Sequence, residues 1–394
     1  MMTKRRVQRE LVLGESGDDV VRLHEFLTEF GYFPNASLSR VYRFWTPTIE
    51  RSPVSVDRYD ETTMNALRAF QRNHGLIQTG LVDNPTLILL NSPRCGVPDR
   101  SPEAEAIWGT AWPDGGILYD IGNFSTDVDG VSLRDAVQTA FDTWAPHTPL
   151  SFSFTNATSS IHLSWWAGDH GDGQAFDGPG GQLAHSFAPR DGRVHFDEDE
   201  TWSTDTPATQ LDLLSVALHE IGHALGLAHS SDTNSVMYPV INYRAMKRVL
   251  AATDIQAIRS AYARPFHRRN RPDNGNHFWT LDPNEALEHP WQDEEVACGV
   301  FSRQVSGTTP LHRRVNTQSG DHFWTTDPGE ATQPPWQDEE VAGYVFGQSV
   351  PGAIPLYRKR NNHNGQHFYT IDPNEAFGDP WIEEGIECYV FPPP

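Results

Sequence analysis

Apolar residues recur at helical spacing in three segments of the chain, and short apolar runs lie between these segments. The clearest stripe stands at positions i, i+4, i+7 and i+11, where the sequence has Leu214, Leu218, Ile221 and Leu225. This spacing predicts a helix that buries one side against a sheet. Further helices are predicted over Val131–Trp144 and Thr62–His74, and strands over Trp108–Tyr119, Leu150–Phe154 and Ile161–Trp166.

The order of these elements divides the 394 residues into three parts. Residues 1–100 predict a small α-helical domain in which residues 34–53 form an inserted loop. Residues 101–264 predict an α+β domain with a twisted sheet and two long helices. Residues 265–394 predict an all-β domain, so the whole chain is multidomain, as its length allows.

The last part repeats itself with a period of 45 residues. The string His277-Phe-Trp-Thr280 returns as His322-Phe-Trp-Thr325 and as His367-Phe-Tyr-Thr370. Three β-rich units predict a pseudo-threefold fold, with a β-trefoil as the first choice and a small propeller-like array as the second.

Two properties of the repeats remain open at this point. The aromatic residues of each unit serve either as the core or as a shallow site on which a sugar ring stacks. Cys298 and Cys388 share one repeat position, so a disulfide near the pseudo-threefold axis is one alternative for them.

Residues 219–229 place three histidines, a glutamate and a glycine in a spacing typical of a catalytic metal site. His219 and His223 are four apart, so both imidazoles leave one face of the predicted helix. Gly226 is placed to end the helix in a left-handed conformation, after which His229 returns as a third ligand. Three imidazoles and an open position predict a catalytic zinc, with Glu220 as the general base.

A second group of ligand residues precedes this motif. It consists of three imidazoles and a carboxylate, a closed set suited to structural zinc: His170, Asp172, His185 and His195. The loop from Asp177 to Gln182 is rich in glycine and exposes carbonyl oxygens, and Asp197 and Glu200 add anionic oxygens. Because Ca²⁺ takes such a mixture of oxygen ligands, we also expect a calcium site here.

Cys95 lies in the string Pro93-Arg-Cys-Gly-Val-Pro-Asp99 ahead of both metal motifs. A thiolate is a strong zinc ligand, and zinc lowers the pKa of the thiol so that it binds deprotonated. With Cys95 in the open coordination position, no water can be activated and the enzyme is latent. Arg94 and Asp99 are placed to pair and hold this loop in its bound shape.

These motifs resemble those of the matrixins, the matrix-metalloproteinase family. The resemblance covers residues 10–264 and rests on the string from His219 to His229, on Ser230 directly after it, and on the seven residues around Cys95, which are similar to the matrixin cysteine switch. Ser235-Val-Met237-Tyr-Pro239 resembles a Met-turn, which places Met237 as a soft floor beneath the zinc. The resemblance implies a secreted zinc endopeptidase made as a zymogen.

The resemblance also implies ligands and substrate contacts. Calcium is expected to bind partly through the backbone carbonyls of Gly178, Gly180 and Gln182. The edge segment with Leu183 and Ala184 is expected to pair with the substrate backbone, and Pro239 and Ile241 to line the specificity pocket.

The N-terminal part resembles the peptidoglycan-binding-like fold of matrixin prodomains. An inhibitory chaperone is therefore its expected role, and cell-wall binding is the alternative. Activation is expected to cut near Arg100–Ala106. The hemopexin domain typical of matrixins does not fit residues 265–394.

Composition and charge exclude several partners. The net charge of −22 argues against nucleic acid and anionic membranes. No apolar run is long enough to span a membrane, and none follows the basic N-terminus as a secretory signal would. We nevertheless expect an extracellular monomer that cleaves protein substrates and binds a glycan or glycoprotein through its tail.

The alternative function is a binding protein in which a degenerate or minor peptidase module positions a carbohydrate-binding tail. The intact Glu220 and the three intact histidine ligands count against this alternative.

Overall fold

A computed structural model describes residues 6–43, 45–99, 111–205 and 209–393. The chain packs as two compact units, one of Met1–Ala145 with Leu150–Asp254 and one of Pro146–Pro149 with Ile255–Pro394. The helical N-terminal part and the sheet-containing part therefore share the first unit. The expected cleavage segment, Arg100–Ala106, lies outside the described residues. Among the described residues, no helix is both long and apolar enough to cross a membrane.

Four helices form the N-terminal part: α1 (Asp18–Glu29), α2 (Ala36–Val41), α3 (Glu61–Asn73) and α4 (Asn84–Leu90). Asp60 caps α3 by accepting a hydrogen bond from the backbone N–H of Thr63, and Asp83 caps α4 in the same way. Leu23, Leu27 and Phe70 lie in the core that α1 and α3 share. This confirms the predicted helical domain, and α3 lies within one residue of its predicted bounds.

The prediction of an inserted loop over residues 34–53 was wrong, because this segment contains α2 and a buried apolar stripe. The side chain of Asn35 accepts hydrogen bonds from the N–H groups of Ser37 and Leu38 and so starts the helix. Leu38, Tyr42 and Trp45, at i, i+4 and i+7, are all buried. The stripe is short, and the prolines and polar residues around it are typical of a loop, so the sequence predicted a loop here.

A five-stranded sheet is the centre of the second part of this unit. Its strands are β1 (Gly115–Ile121), β2 (Leu150–Phe154), β3 (Ile161–Trp166), β4 (Ala184–Ser186) and β5 (Arg193–Asp197), in the order β2-β1-β3-β5-β4. Only β4, at one edge, runs antiparallel to its neighbour. The bounds of β2 and β3 match the prediction.

The opening strand begins later than predicted. The prediction was Trp108–Tyr119, of which residues 108–110 lie outside the described residues, and β1 starts only at Gly115. Trp112 is buried but donates its indole N–H to the carbonyl of Ala224 at 2.8 Å instead of joining the sheet. Pro113, which follows it, has no N–H to give to a ladder.

Two long helices pack in this part, α5 (Gly130–Trp144) and α6 (Leu213–Ala224). The indole N–H of Trp144 donates to the carbonyl of Leu218 at 3.0 Å and ties α5 to α6. A 3₁₀ turn (Ala145–His147) and two short strands, β6 (Trp202–Ser203) and β7 (Leu211–Asp212), complete the connections. The α+β prediction with two long helices is thus confirmed.

Helix α7 (Ala252–Tyr262) leads into the second unit, which contains the repeats. Each repeat gives three strands: β8 (Arg264–Arg271), β9 (Asn276–Thr280) and β10 (Gln292–Val300); β11 (Thr308–Asn316), β12 (His322–Thr325) and β13 (Trp336–Phe346); β14 (Ile354–Asn361), β15 (His367–Thr370) and β16 (Trp381–Val390). In the described tail they form one three-stranded and one six-stranded sheet. An all-β tail is confirmed, whereas the β-trefoil stays a prediction.

The repeated aromatic residues form the core of the tail. The rings of Trp279, Trp324 and Tyr369 meet in mutual edge-to-face contacts with centroids 5.3 to 5.7 Å apart. Each residue is only 1% exposed. The core alternative is confirmed for these three positions, and the alternative that they stack on a sugar is wrong.

The alternative of a disulfide between Cys298 and Cys388 is also wrong. Both are free, buried thiols in the structure. Cys298 pairs with Phe266 in one sheet and Cys388 with Leu356 in the other, and both lie in the aromatic core of the tail with no bond between them.

Candidate metal centre

The metal motif begins on α6 and continues past its end. The Asp212 side chain accepts a hydrogen bond from the N–H of Ser215 and caps the helix. At the other end, Gly226 has a φ of +104°, a conformation that glycine adopts without strain. The N–H of Leu227 then bonds to the carbonyl of Gly222 at 2.9 Å. This closure reverses the chain and brings His229 beside the two helical histidines, as predicted.

Met237 lies beneath the site, and the helix needs a glycine above it. A Cβ at Gly222 would stand 2.3 Å from the Met237 sulfur, so only glycine permits this approach. Met237 itself is 2% exposed, and its carbonyl accepts from the N–H of Ser230 at 2.9 Å. Met237 therefore packs against the helix that carries His219 and His223, and its role as the floor of a zinc site stays a prediction.

The three histidines and Cys95 point their donor atoms at one point. The Nε2 atoms of His219 and His223 are 3.1 Å apart, and the four donor atoms of the cluster lie within 4.8 Å of one another. Each Nδ1 faces an oxygen: the Val236 carbonyl for His219 and the Leu227 carbonyl for His223, both at 2.7 Å, and the Asp99 carboxylate for His229 at 2.8 Å.

These contacts settle which ring nitrogen carries the proton. A carbonyl or carboxylate oxygen can only accept, so each Nδ1 is protonated and each Nε2 presents a lone pair. Lone pairs that face each other at 3.1 Å require a cation between them, and the Nε2 of His229 is buried without any protein partner. The donor set of three imidazoles and one thiol fits zinc.

Glu220 lies beside this cluster and is fully buried. Its Oε2 accepts a hydrogen bond from the hydroxyl of Ser186, whereas its Oε1 has no partner. Burial raises the pKa of Glu220 to about 7, although hydrogen bonds from Ser186 and Cys95 oppose the rise. A carboxyl group with such a pKa can exchange a proton near neutral pH. Sequence reasoning missed Ser186, because a lone serine carries no motif.

The segment around Cys95 lies between two stretches of backbone, residues 181–184 on one side and residues 239–241 on the other. The groove between these two stretches is called the cleft below. On one side the N–H of Arg94 bonds to the Gly181 carbonyl at 3.0 Å, and the N–H of Leu183 bonds to the Arg94 carbonyl at 2.9 Å. On the same side, the N–H of Gly96 bonds to the carbonyl of Ala184 at 2.8 Å. The predicted substrate edge is therefore paired with the segment around Cys95.

On the other side, the same segment bonds to the chain after the Met-turn. The N–H of Cys95 donates to the Pro239 carbonyl at 2.9 Å, and the N–H of Ile241 donates to the Pro93 carbonyl at 3.2 Å. One extended peptide, the segment around Cys95, is thus hydrogen-bonded to all four predicted substrate contacts: Leu183, Ala184, Pro239 and Ile241. This is the contact pattern expected of residues that bind a substrate backbone.

A buried ion pair holds the switch loop closed. Arg94 donates both terminal nitrogens to Asp99, at 2.8 and 3.2 Å, and both residues are 1% exposed. The hydroxyl of Tyr32, on the prodomain core, donates to the same carboxylate at 2.7 Å. The guanidinium also lies 3.9 Å from the centre of the Phe30 ring. The predicted pairing of Arg94 with Asp99 is present.

The segment 34–53 covers the cysteine from the solvent side. A hydrophobic cluster joins this segment, the switch and the sheet: Leu38, Tyr42, Trp45, Cys95, Val97 and Phe187. Tyr42 stacks on Phe187 with ring centroids 5.7 Å apart and planes 14° apart. Cys95 is consequently 1% exposed. The sequence signal that would have found this aromatic cap is the i, i+4, i+7 spacing of its first three members.

The predicted structural-zinc residues come together at β4 and β5, which carry His185 and His195. The carboxylate of Asp172 lies 2.9 Å from His170, 2.8 Å from His185 and 2.8 Å from His195. Burial lowers the pKa of His185 to about 4 against the pull of Asp172, so this imidazole is neutral and able to bind a metal. All four donor atoms lie within 4.8 Å of one another.

The predicted calcium residues form a crowded group of carboxylates. Glu200 accepts from the N–H of Gly180 and from the hydroxyl of Tyr243, the latter at 2.9 Å. Asp197 is fully buried, and one of its oxygens has no partner. Burial, with Glu200, Asp199 and Asp177 nearby, raises the pKa of Asp197 to about 7. Such a group favours a divalent cation.

Comparisons with known proteins match three stretches of the chain. Residues 111–263 match the matrixin family, residues 16–90 match a peptidoglycan binding domain, and residues 265–391 match a domain of unknown function (DUF5648). Metalloendoproteinase 1 of Glycine max is 35% identical over 271 residues, which cover 63% of this chain and 83% of that protein.

Two animal proteins are similar over shorter shares of their length. Matrix metalloproteinase-18 of Xenopus laevis is 38% identical over 227 residues, which are 56% of this chain and 48% of that protein. Macrophage metalloelastase of Oryctolagus cuniculus is 35% identical over 271 residues, 66% of this chain and 55% of that protein. The chain thus spans about half the length of these two relatives. It belongs to the matrixins, a family of zinc metalloendopeptidases.

Proposed function

We propose that the chain is a latent zinc endopeptidase that hydrolyses peptide bonds of extracellular or cell-surface proteins. One observation carries this proposal: three imidazole lone pairs and a cysteine thiol meet at one buried point, and Glu220, next to His219 on the same helix, keeps one carboxylate oxygen unpartnered. Cys95, which supplies the thiol, belongs to a segment that is bound in the cleft as an extended peptide.

His219, His223 and His229 would hold the catalytic zinc. When bound, zinc supplies Lewis-acid polarisation of the scissile carbonyl and makes a water molecule more acidic. Glu220 takes the proton from the attacking water and delivers it to the leaving amine, a role that its raised pKa suits. The hydroxyl of Ser186 orients the carboxylate for this transfer.

The cleft binds the substrate through its backbone. In the latent chain, Leu183, Ala184, Pro239 and Ile241 make the hydrogen bonds to the prosegment that a substrate would take over. These bonds do not depend on side chains, so they orient many sequences, and selectivity comes from the pocket beyond Ile241.

Latency follows from Cys95 at the fourth coordination position. Burial raises the pKa of this thiol well above its usual value, and Glu220 adds to the rise. A thiolate there is therefore stable only when a cation is present. Activation requires the prosegment to leave, by a cut in the predicted segment Arg100–Ala106.

His170, Asp172, His185 and His195 are proposed to hold a structural zinc. The loop with Asp177, Gly178, Gly180 and Gln182, together with Asp197 and Glu200, is proposed to hold calcium. Both sites adjoin Ala184, on the edge that binds the substrate. Each ion would thus stiffen the cleft without contacting the catalytic histidines.

The proposed function is tested with purified full-length chain and a quenched-fluorescent peptide library. We expect little hydrolysis before activation and zinc-dependent hydrolysis after it. Zinc-saturated, activated chain that cleaves no member of the library would contradict the proposal and favour the alternative of a binding protein.

For the tail we propose a glycan or glycoprotein ligand. The three central aromatics are core, so the remaining repeated candidates are Trp291, Trp336 and Trp381, which are half-buried. Exposed aromatic faces repeated three times would give avidity on an immobilised substrate. A glycan array with the full chain and its Trp336→Ala variant tests this, and binding that the variant retains at wild-type strength contradicts it.

A further inference from the structure

The three histidines of the metal centre differ in what holds them. His219 and His223 donate their Nδ1–H groups to the carbonyls of Val236 and Leu227, both of which belong to the catalytic part. His229 instead donates to Oδ1 of Asp99, which belongs to the prosegment. The outer partner of a metal-bound histidine fixes its orientation and raises its basicity. One of the three ligands thus depends on the part of the chain that the proposed activation removes.

Asp99 is well suited to this role. It is 1% exposed, and its Oδ1 also takes one nitrogen of Arg94 at 2.8 Å. Both terminal nitrogens of Arg94 contact this carboxylate inside the protein, and a buried ion pair of this kind keeps the carboxylate charged. The carboxylate therefore accepts from His229 as an anion. A charged acceptor gives a shorter and stronger hydrogen bond than a carbonyl does.

We propose that Asp99 is a positioning residue for the catalytic metal, acting through its hydrogen bond to His229. The inference rests on the proposed zinc site. The prosegment then supplies the centre with two things at once: an inner ligand, Cys95, and the outer partner of the third histidine. The predicted cleavage segment, Arg100–Ala106, follows Asp99, so activation removes both.

The consequence is a difference in metal affinity between the two forms. The latent chain binds the catalytic ion more tightly than the processed chain, beyond the contribution of the thiolate. Outer partners of metal-bound histidines are typically worth 10- to 100-fold in metal affinity. Newly made chain would thereby load its metal before activation, when the site is complete.

The test titrates metal-free full-length chain with Co²⁺ in competition with a chelator of known affinity. The near-ultraviolet charge-transfer band of a Co²⁺–thiolate bond reports occupancy of the centre that contains Cys95. We expect Asp99→Ala to weaken Co²⁺ binding there by about 10- to 100-fold. Asp99→Asn, which keeps an uncharged acceptor oxygen, should lie between Asp99→Ala and the wild type. The second metal cluster, which Asp99 does not touch, should bind equally in all variants.

Two controls separate positioning from loosening of the switch. Tyr32→Phe removes another bond to the Asp99 carboxylate, to Oδ2, and leaves the contact with His229; we expect its Co²⁺ affinity to stay within about threefold of the wild type. A Cys95→Ser chain has no thiolate band, so the binding of both metal ions is measured by competition with the chelator. Adding Asp99→Ala to this chain should still weaken the binding of one of the two ions.

The outcomes distinguish this inference from the proposal beneath it. Unchanged affinity in Asp99→Ala, or a loss that disappears once Cys95 is serine, overturns the positioning role and leaves the zinc site standing. Wild-type chain that shows no Co²⁺–thiolate band at saturation overturns the proposed zinc site, and the positioning role with it.

Discussion

Removing one aromatic ring should expose the thiol that keeps the enzyme latent. Tyr42 is 3% exposed and stacks on Phe187 above Cys95. Truncating a buried aromatic side chain to alanine costs about 3–5 kcal/mol. Phe187 can relax into part of the space, so we take about 3 kcal/mol for Tyr42→Ala. Because 1.4 kcal/mol is a factor of ten, the fraction of molecules with an open cap should rise about 100-fold.

The assay follows alkylation of Cys95 by iodoacetamide with peptide mass spectrometry. When the cap closes faster than the reagent reacts, the rate follows the open fraction, so labelling of Cys95 should also rise about 100-fold. Tyr42→Phe keeps the ring and should label at nearly the wild-type rate, and Cys298 and Cys388, which are buried elsewhere, serve as internal references. Equal labelling of Cys95 in Tyr42→Ala and wild type would refute the shielding.

Four further predictions follow from the sites. Cys95→Ser should activate the full-length chain without proteolysis, because a hydroxyl is a far poorer zinc ligand than a thiolate; peptide hydrolysis equal to that of unprocessed wild type would contradict the switch. Without calcium, folded Asp197 keeps its proton up to about pH 7, whereas an unfolded aspartate releases it near pH 4. The folded state then binds more protons in this window, so the free energy of unfolding should fall as pH rises from about 4 to 7. Saturating calcium or Asp197→Asn should flatten this dependence in urea titrations, and a flat profile for calcium-free wild type would count against the site. Asp172→Ala should lower both Tm and activity, and added zinc should restore neither; an unchanged Tm would argue against structural zinc. Trp324→Ala should destabilise the tail by about 3–5 kcal/mol, whereas Trp336→Ala should cost much less, and similar losses in thermal unfolding would contradict the assignment of core.

The metal motif could be predicted because its geometry is local. His219, His223 and Glu220 lie on one helix, and Gly226 fixes the turn that returns His229, so spacing alone determines the arrangement. The second cluster was harder to predict, because His185 and His195 meet only through pairing of β4 with β5. There the ligand types, three imidazoles and a carboxylate, indicated the set, whereas their spacing along the chain did not.

The outer contacts of the site were beyond sequence reasoning. The bond from His229 to Asp99 joins residues 130 positions apart, and the contact of Gln182 with Glu29 joins residues 153 apart. Such pairs depend on how the prodomain docks, which no periodicity encodes.

In the tail, the order of residues shows that aromatic residues repeat, but it does not show which way their side chains face. Trp279, Trp324 and Tyr369 lie inward because the repeats close on one another. Arg313 reaches Glu285 of the preceding repeat, Arg358 reaches Glu330, and Arg268 reaches Glu375. This closure is a property of three units together, so a single repeat does not reveal it.

The most direct test of the proposed zinc peptidase compares Glu220→Gln with its parent in a Cys95→Ser chain. Both proteins should bind the same zinc equivalents, because Gln keeps the shape of Glu220 and touches no ligand nitrogen. Peptide hydrolysis should fall by about 100-fold or more, as expected when a general base is lost. Retained zinc with lost hydrolysis is the result we expect, and parent-like turnover by Glu220→Gln would contradict the proposed mechanism.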